Sequence, residues 1–208
     1  MANLPLEKVK ELYYNKEYTA QEIGKFFSVS RDVVYDFMIK MRLPRRNLSE
    51  QNRVSFDRKP LSFKIKRNLT KEEEKLKIAG IMLYWAEGAN GYWTVDLSNS
   101  DPKMILIFLK FLRIICGVNE QKLRGLLYCY GNQDVEHLKK FWSKITKIPL
   151  AQFIKPYIRR DSSLKKSGKM RYGLFHIRYT DKKLLKKIRF WIDKYKEEWA
   201  GTEVDKPS

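Results

Sequence analysis

The feature that most constrains the fold is a pattern that occurs three times in the carboxy-terminal half of the chain. Each copy combines a short apolar strand, a polar corner that ends in aspartate, and an amphipathic helix. The strands are expected at 93–97, 126–130 and 174–179, and the corner aspartates, which stand where helix N-caps belong, are Asp101, Asp134 and Asp181. A further strand is expected over 153–160, followed by a turn over 162–169. This alternation predicts helices packed on a sheet.

A helix precedes the first copy of the pattern. Thr70 is a suitable N-cap and Glu73 completes a capping box. The segment from Leu76 onward becomes apolar almost all round, which is typical of a helix buried in a core or against a partner. The helix ends in Glu87, followed by Gly88 as its terminator. Since the helix dipole disfavours a carboxylate at this end, Glu87 is either a metal ligand or bonded to local backbone or an arginine.

The run Leu83-Tyr84-Trp85-Ala86-Glu87-Gly88 resembles the second part of the motif of LAGLIDADG homing endonucleases, and the alternation over 75–199 resembles their architecture. The resemblance implies an αββαββα-like domain, here with an extra helix near 135–146, whose strands form a saddle in the major groove. It also implies that Glu87 is the catalytic acid and binds Mg²⁺. Asp96, on the next strand, is a candidate second ligand or a solvent-facing residue. With one such helix end in the chain, cleavage would require a homodimer.

The amino-terminal segment predicts three short helices. The first covers Leu6–Tyr14 with apolar residues at helical spacing. Thr19 and Glu22 form a capping box for the second, and Ser30 caps the third, which runs to about Met41. The residues expected to be buried in the last two helices are Ile23, Phe26, Phe27, Val33, Val34 and Phe37.

Residues 18–42 resemble the helix-turn-helix family. Gly24 stands where two helices must touch, Val34 stands ten residues on at an apolar position, and Ser28 occupies the turn. The resemblance implies that the exposed face of the second helix of the motif enters the major groove of DNA. Arg31 is the best candidate for reading a guanine edge. The other candidate DNA contacts here are Tyr35, Lys40, Arg45 and Arg46.

An ordinary explanation of the same helix face remains open. Asp32 and Asp36 repel phosphates, which favours a solvated face in a protein-interaction bundle. The segment 47–69 lacks an apolar period and carries six Lys or Arg residues, so we expect an irregular basic linker. Such a linker either contacts phosphates or serves as a soluble tether.

The predicted organisation is therefore α+β. A small all-α helix-turn-helix domain (1–46) is followed by the basic linker (47–69), the LAGLIDADG-like domain (70–200) and a tail (201–208).

Charge points to a polyanionic partner. Lys and Arg number 43 against 24 Asp and Glu, a formal net charge of +19. Between residues 155 and 196 there are 15 cations and 3 acids, a surplus of 12. Lys155, Arg159 and Arg178, expected on strands, are candidates to neutralise phosphates. Solubility in a salty or hot environment is an alternative explanation of the charge.

Aromatic residues of the carboxy-terminal half either stack on bases or belong to the core. They are Tyr84, Trp85, Tyr92, Trp93, Trp142, Trp191 and Trp199.

The remaining composition excludes other classes of protein. Cys116 and Cys129 lie among apolar neighbours, which favours buried free thiols in a reducing compartment. With only two histidines, a structural zinc site is not expected. The chain shows no signal peptide and no apolar run long enough for a bilayer, so a cytoplasmic location is expected. Three functions stay open: a metal-dependent DNA endonuclease, a non-catalytic DNA-binding regulator, and RNA binding by the carboxy-terminal domain.

Overall fold

The structure is a computed structural model that describes residues 4–159 and 170–201. It has the mixed α+β composition that the sequence predicts. The chain divides into two compact units, Met1–Pro60 and Leu61–Ser208. The predicted turn at 162–169 and the tail beyond Gly201 lie outside the described residues.

The first unit is helical. Its helices are α1 (Leu6–Lys10, continued by a π-helical turn at Glu11–Asn15), α2 (Ala20–Phe26), α3 (Arg31–Lys40) and α4 (Leu48–Arg58). The predicted capping box of Thr19 and Glu22 is present, and the Ser30 hydroxyl accepts a hydrogen bond from the Val33 backbone N–H. The core comprises Leu4, Val9, Leu12, Tyr13, Ala20, Ile23, Val34, Phe37 and Met38.

Two of the predicted core positions are wrong. Phe26 is 55 % exposed, because the buried face of α2 is centred on Ala20 and Ile23 and the Phe26 side chain projects to one side of it. Val33 is only partly buried, and Met38 is fully buried in α3 beside Val34.

The irregular linker predicted from residue 47 is also wrong over most of its length, because α4 occupies 48–58. The Asn47 side chain accepts a hydrogen bond from the Glu50 backbone N–H, and the Glu50 carboxylate accepts one from the Asn47 N–H. Val54 is the only fully buried residue of the helix. One buried position leaves no apolar period to detect, whereas the capping box is visible in the sequence.

Polar contacts hold α4 against the rest of the first unit. Arg53 Nη2 lies 2.7 Å from a Glu17 carboxylate oxygen, and Arg58 Nη1 lies 2.7 Å from a Glu22 carboxylate oxygen. The Arg58 guanidinium also lies over the Tyr18 ring, 4.4 Å from its centroid. These ion pairs and the ring contact therefore add to the burial of Val54 where α4 packs on the rest of the unit.

The second unit alternates helices and strands. Its elements are α5 (Lys71–Glu87), β1 (Thr94–Asn99), α6 (Pro102–Lys110, continued by a π-helical turn at Phe111–Ile115), β2 (Leu123–Tyr130), α7 (Val135–Thr146), β3 (Tyr157–Arg159), β4 (Leu174–Thr180) and α8 (Lys182–Ala200). Asp101, Asp134 and Asp181 all accept backbone hydrogen bonds as N-caps, which confirms that prediction. The order is αβαβαββα and differs from the expected αββαββα, since a single strand lies between α5 and α6.

The four strands form one mixed sheet in the order β1-β4-β2-β3. β4 pairs antiparallel with β1 and β2, and β3 pairs parallel with β2. Side chains of a strand alternate between the two faces. One face carries buried residues such as Val95, Phe175 and Leu127, which form one core with residues of α5 to α8. We call the other side the outer face of the sheet.

The sequence predicted that helix α5 is buried almost all round, and this prediction is wrong. Ile81 and Tyr84 are buried, and a Cβ built on Gly80 would lie 2.1 Å from Cγ of Phe111. Ile78 and Trp85, on the other side of the helix, are 44 % and 48 % exposed. The helix therefore touches the core with one face and leaves apolar residues uncovered on the other.

Both cysteines are free and buried in the second unit, as predicted. Burial raises the pKa of the Cys116 thiol and of the Cys129 thiol. Within 4–159 and 170–201, we find no helix with the length and apolar character needed to cross a bilayer.

Candidate nucleic-acid interface

Helices α2 and α3 meet through a tight connection of four residues, 27–30. A Cβ built on Gly24 would lie 2.7 Å from the Val29 carbonyl oxygen, so only glycine fits this contact without a shift. The Val29 N–H donates to the Gly24 carbonyl oxygen at 2.8 Å. Ser28 has a left-handed backbone with φ of 55°, which is the conformation that most often selects glycine. The start of α3 is thus fixed against α2 by backbone atoms.

The face of α3 opposite its core residues is polar and exposed. Arg31, Asp32, Asp36 and Lys40 are exposed, and Tyr35 is half-buried. Arg31 Nε donates to Asp32 Oδ1 at 3.0 Å. Both side chains are well exposed, so this pair is weak and its guanidinium can exchange one acceptor for another.

Two neighbouring arginines after α3 point in different directions. The Arg45 guanidinium lies 3.9 Å from the centroid of the Tyr35 ring, beside the exposed face of α3. The Arg46 guanidinium donates instead to the backbone carbonyl oxygens of Tyr18 and Tyr13 and lies over the Tyr13 ring. The sequence predicted that Arg46 contacts DNA. In the structure its guanidinium is occupied by contacts within the first unit, so we assign it a structural role instead.

The outer face of the sheet contains a charged row across three strands. Asp96, Arg178 and Arg124 are register partners on β1, β4 and β2. Asp96 Oδ2 lies 2.9 Å from Arg178 Nε, and Asp96 Oδ1 lies 3.0 Å from His176 Nδ1. The Asp96 side chain is only 16 % exposed. Asp96 is therefore engaged with two basic groups, which corrects its selection as a metal ligand.

His176 links this row to an aromatic group. Its ring centroid lies 4.5 Å from that of Tyr128, and Tyr128 lies 5.0 Å from Tyr157 on β3. His176 Nε2 is buried and has no hydrogen-bond partner among the described residues. Arg159 is register partner to Tyr130 at the same edge.

Lys155 was expected on a strand, but it lies in the irregular segment before β3, where Pro156 interrupts the ladder, and it is exposed. Sequence reasoning missed Arg124, Tyr128, Tyr157 and His176. The alternation of side chains along 123–130 and 174–180 indicates which residues of each strand share a face. It does not indicate that the two strands pair, so these residues could not be placed together from the sequence.

Glu87 ends α5 with its side chain exposed. It forms no ion pair or side-chain hydrogen bond with the rest of the described chain. In the ranges 4–159 and 170–201, no group of three or more His, Cys, Asp or Glu side chains could hold a metal ion. A lone carboxylate with Asp96 committed elsewhere does not fit a Mg²⁺ site within one copy of the chain.

The aromatic residues divide into two groups. Tyr84, Trp142 and Trp191 belong to the core, and burial raises the pKa of the Tyr84 phenol. Trp85, Tyr92, Trp93 and Trp199 are 48 %, 76 %, 61 % and 79 % exposed. Only the second group is available to a ligand.

Comparison of the chain with protein-family models, with curated proteins and with solved structures gave no match.

Proposed function

We propose that this chain is a sequence-specific binding protein of double-stranded DNA. The observation that supports this most is the geometry of α3, whose exposed face carries Arg31, Tyr35 and Lys40 while its other face is buried. Backbone contact at Gly24 sets the start of that helix. In a helix-turn-helix mode, α3 lies in the major groove, Arg31 at its amino-terminal end contacts base edges, and Arg45 contacts phosphate.

The outer face of the sheet is the second proposed contact with the duplex. Arg124 and Arg159 contribute positive charge there, while Arg178 is paired with Asp96. The net charge of +19 gives the whole chain an attraction for polyanions. Binding that rests on phosphate contacts falls steeply as salt rises from about 50 to 200 mM. A flat salt dependence would remove the electrostatic part of the proposal.

Selection of binding sites from a random duplex pool tests the role of α3. Arg31→Ala should relax preference at one base position and raise the Kd for the selected site by about 5- to 100-fold. Lys40→Ala is the matched control, because loss of a phosphate contact weakens binding to all sequences alike and reduces the salt slope by about one. Equal losses on every sequence for Arg31→Ala would favour a solvated helix face or a protein-interaction bundle.

A second candidate is cleavage of that DNA by a homodimer. Ile78 and Ala86 are exposed on α5, partly buried Met82 lies between them at helical spacing, and exposed Glu87 adjoins this stripe. Two copies packed along this stripe bring two such glutamates together. We derive no cleavage step, since one chain does not provide a metal site.

Nicking of supercoiled DNA with Mg²⁺ or Mn²⁺ tests this candidate against Glu87→Gln. Loss of nicking with unchanged DNA affinity would support the endonuclease. Tight binding by the wild type with no nicking under either metal would leave the non-catalytic regulator. Sedimentation of Ile78→Glu tests the dimer separately.

We also propose a cytoplasmic location, because both buried thiols are free.

A further inference from the structure

Exposed aromatic rings and cations alternate along one side of α8. Lys182 Nζ lies 4.2 Å from the centroid of Trp93, and Lys196 Nζ lies 5.5 Å from that of Trp85. Between them, Arg189 Nη2 donates to the Gly91 carbonyl oxygen at 2.6 Å, which fixes the loop that presents Tyr92. The members of this α8 strip are Trp85, Tyr92, Trp93, Lys182, Arg189 and Lys196.

The strip is long and narrow. Lys182 and Lys196 are fourteen residues apart on one helix, which corresponds to about 21 Å at 1.5 Å per residue. Trp93 is at the first end and Trp85 at the second, because each lies beside one of these lysines. A linear ligand of several units can therefore follow α8 and meet a ring near each end.

A small cavity lies beside Trp85. It has a volume of 180 Å³, and Asn90, Arg189 and Lys196 contribute polar groups to its lining. Asp193 also lines it and lies 3.5 Å from Lys196 Nζ, so that lysine is partly neutralised. Sites for drug-sized ligands start at about 300 Å³, so this cavity suits a single planar ring.

The chemistry of the strip selects its ligand. Three exposed rings without nearby charge would fit an apolar protein partner, but here cations stand beside two of them. Phosphates complement the cations, and bases complement the rings. A duplex keeps its base faces inside the stack, whereas a single strand exposes them. We propose that the α8 strip binds single-stranded nucleic acid, with bases stacked on Trp93 and Trp85 and phosphates near Lys182 and Arg189.

This proposal does not depend on duplex binding by α3, and the two can fail separately. The full-length protein is titrated with a fluorescently labelled oligothymidylate of about twelve nucleotides, and anisotropy and tryptophan quenching are recorded. Trp93→Ala should weaken binding about ten-fold, while Trp93→Phe should retain most of the affinity. Trp199→Ala is the matched control, because Trp199 is 79 % exposed and no cation of the described chain lies over its ring. Its affinity should change less than two-fold.

Three results would overturn the proposal. The first is the absence of oligothymidylate binding at low salt. The second is an equal loss for Trp93→Ala and Trp199→Ala. The third is displacement of the oligonucleotide by equimolar duplex together with a ten-fold loss of duplex affinity in Trp93→Ala, which would assign the strip to duplex DNA. Retained oligothymidylate binding in Arg31→Ala, with circular dichroism spectra unchanged in all variants, would support an independent site.

Discussion

Replacement of Gly24 by alanine tests whether the first unit depends on direct backbone contact between α2 and α3. The new Cβ would lie 2.7 Å from the Val29 carbonyl oxygen and 3.2 Å from the Ser30 carbonyl carbon. Both neighbours are backbone atoms, so no side chain can rotate away, and α3 must move as a body. The perturbation therefore acts on the position of the helix that carries Arg31.

The size of the effect follows from two opposing contributions. Overpacking of a close contact costs about 1–3 kcal/mol, while alanine in a helix gains up to about 1 kcal/mol over glycine. We expect Gly24→Ala to lower the free energy of unfolding of the first unit by about 1–2 kcal/mol. In a unit of this size each kcal/mol lowers Tm by about 4–8 °C, so a fall of about 5–15 °C is expected.

The tryptophans allow the two units to be followed separately. All five lie beyond residue 84, so tryptophan fluorescence reports the second unit, whereas far-ultraviolet circular dichroism reports helices of both. The dichroism transition should move to lower temperature and the fluorescence transition should not. Gly91→Ala is the control, since a Cβ there would meet nothing within 4 Å. An unchanged or raised dichroism transition in Gly24→Ala would refute the reasoning.

Three further predictions concern side chains that the fold engages. Arg46→Ala should destabilise the first unit by about 2 kcal/mol in thermal unfolding, and Arg46→Lys should not restore it, because one ammonium cannot replace a fork that bonds two carbonyls. Asp96→Asn should leave duplex affinity equal or higher at low salt, because Arg178 is released; a loss dependent on Mg²⁺ would restore Asp96 as a metal ligand. The hydrogen bond from Arg53 lowers the pKa of Glu17 below its usual 4.5, so the stability from this pair is complete above pH 4.5 and is lost as the pH falls through the lowered pKa. Stability measured against pH in wild type and Arg53→Gln should diverge above that window and converge below it; parallel curves would contradict this.

Local signals accounted for most of the fold that sequence could predict. The capping residues Thr19, Ser30, Asp101, Asp134 and Asp181 act on backbone N–H groups two or three residues away, so their function is visible without knowledge of the tertiary structure. Helix α4 was missed because it buries one apolar residue, Val54, and its ion pairs are with Glu17 and Glu22, which lie over thirty residues earlier in the chain. Apolar periodicity carries no information about such contacts.

In the candidate sites too, features set by local sequence were predicted and features set by long-range pairing were not. Arg31 and Lys40 both lie outside the buried positions Val34, Phe37 and Met38 of α3, so helical spacing predicted that both are exposed. The pairing of Asp96 with Arg178 depends on the antiparallel register of β1 and β4, which are separated in the chain by α6, β2, α7 and β3. The sequence therefore assigned two independent roles, metal ligand and phosphate contact, to residues that neutralise each other.

The two buried cysteines allow local opening of the second unit to be measured by thiol alkylation. Cys116 has no accessible surface and Cys129 has 3 %, and burial raises the pKa of both thiols, so neither reacts while the sheet and α6 stay closed. The alkylation rate of Cys116 then measures how often the structure opens at the end of α6, and the rate of Cys129 measures how often it opens at β2. DNA that bound across the outer face of the sheet would slow the second rate more than the first.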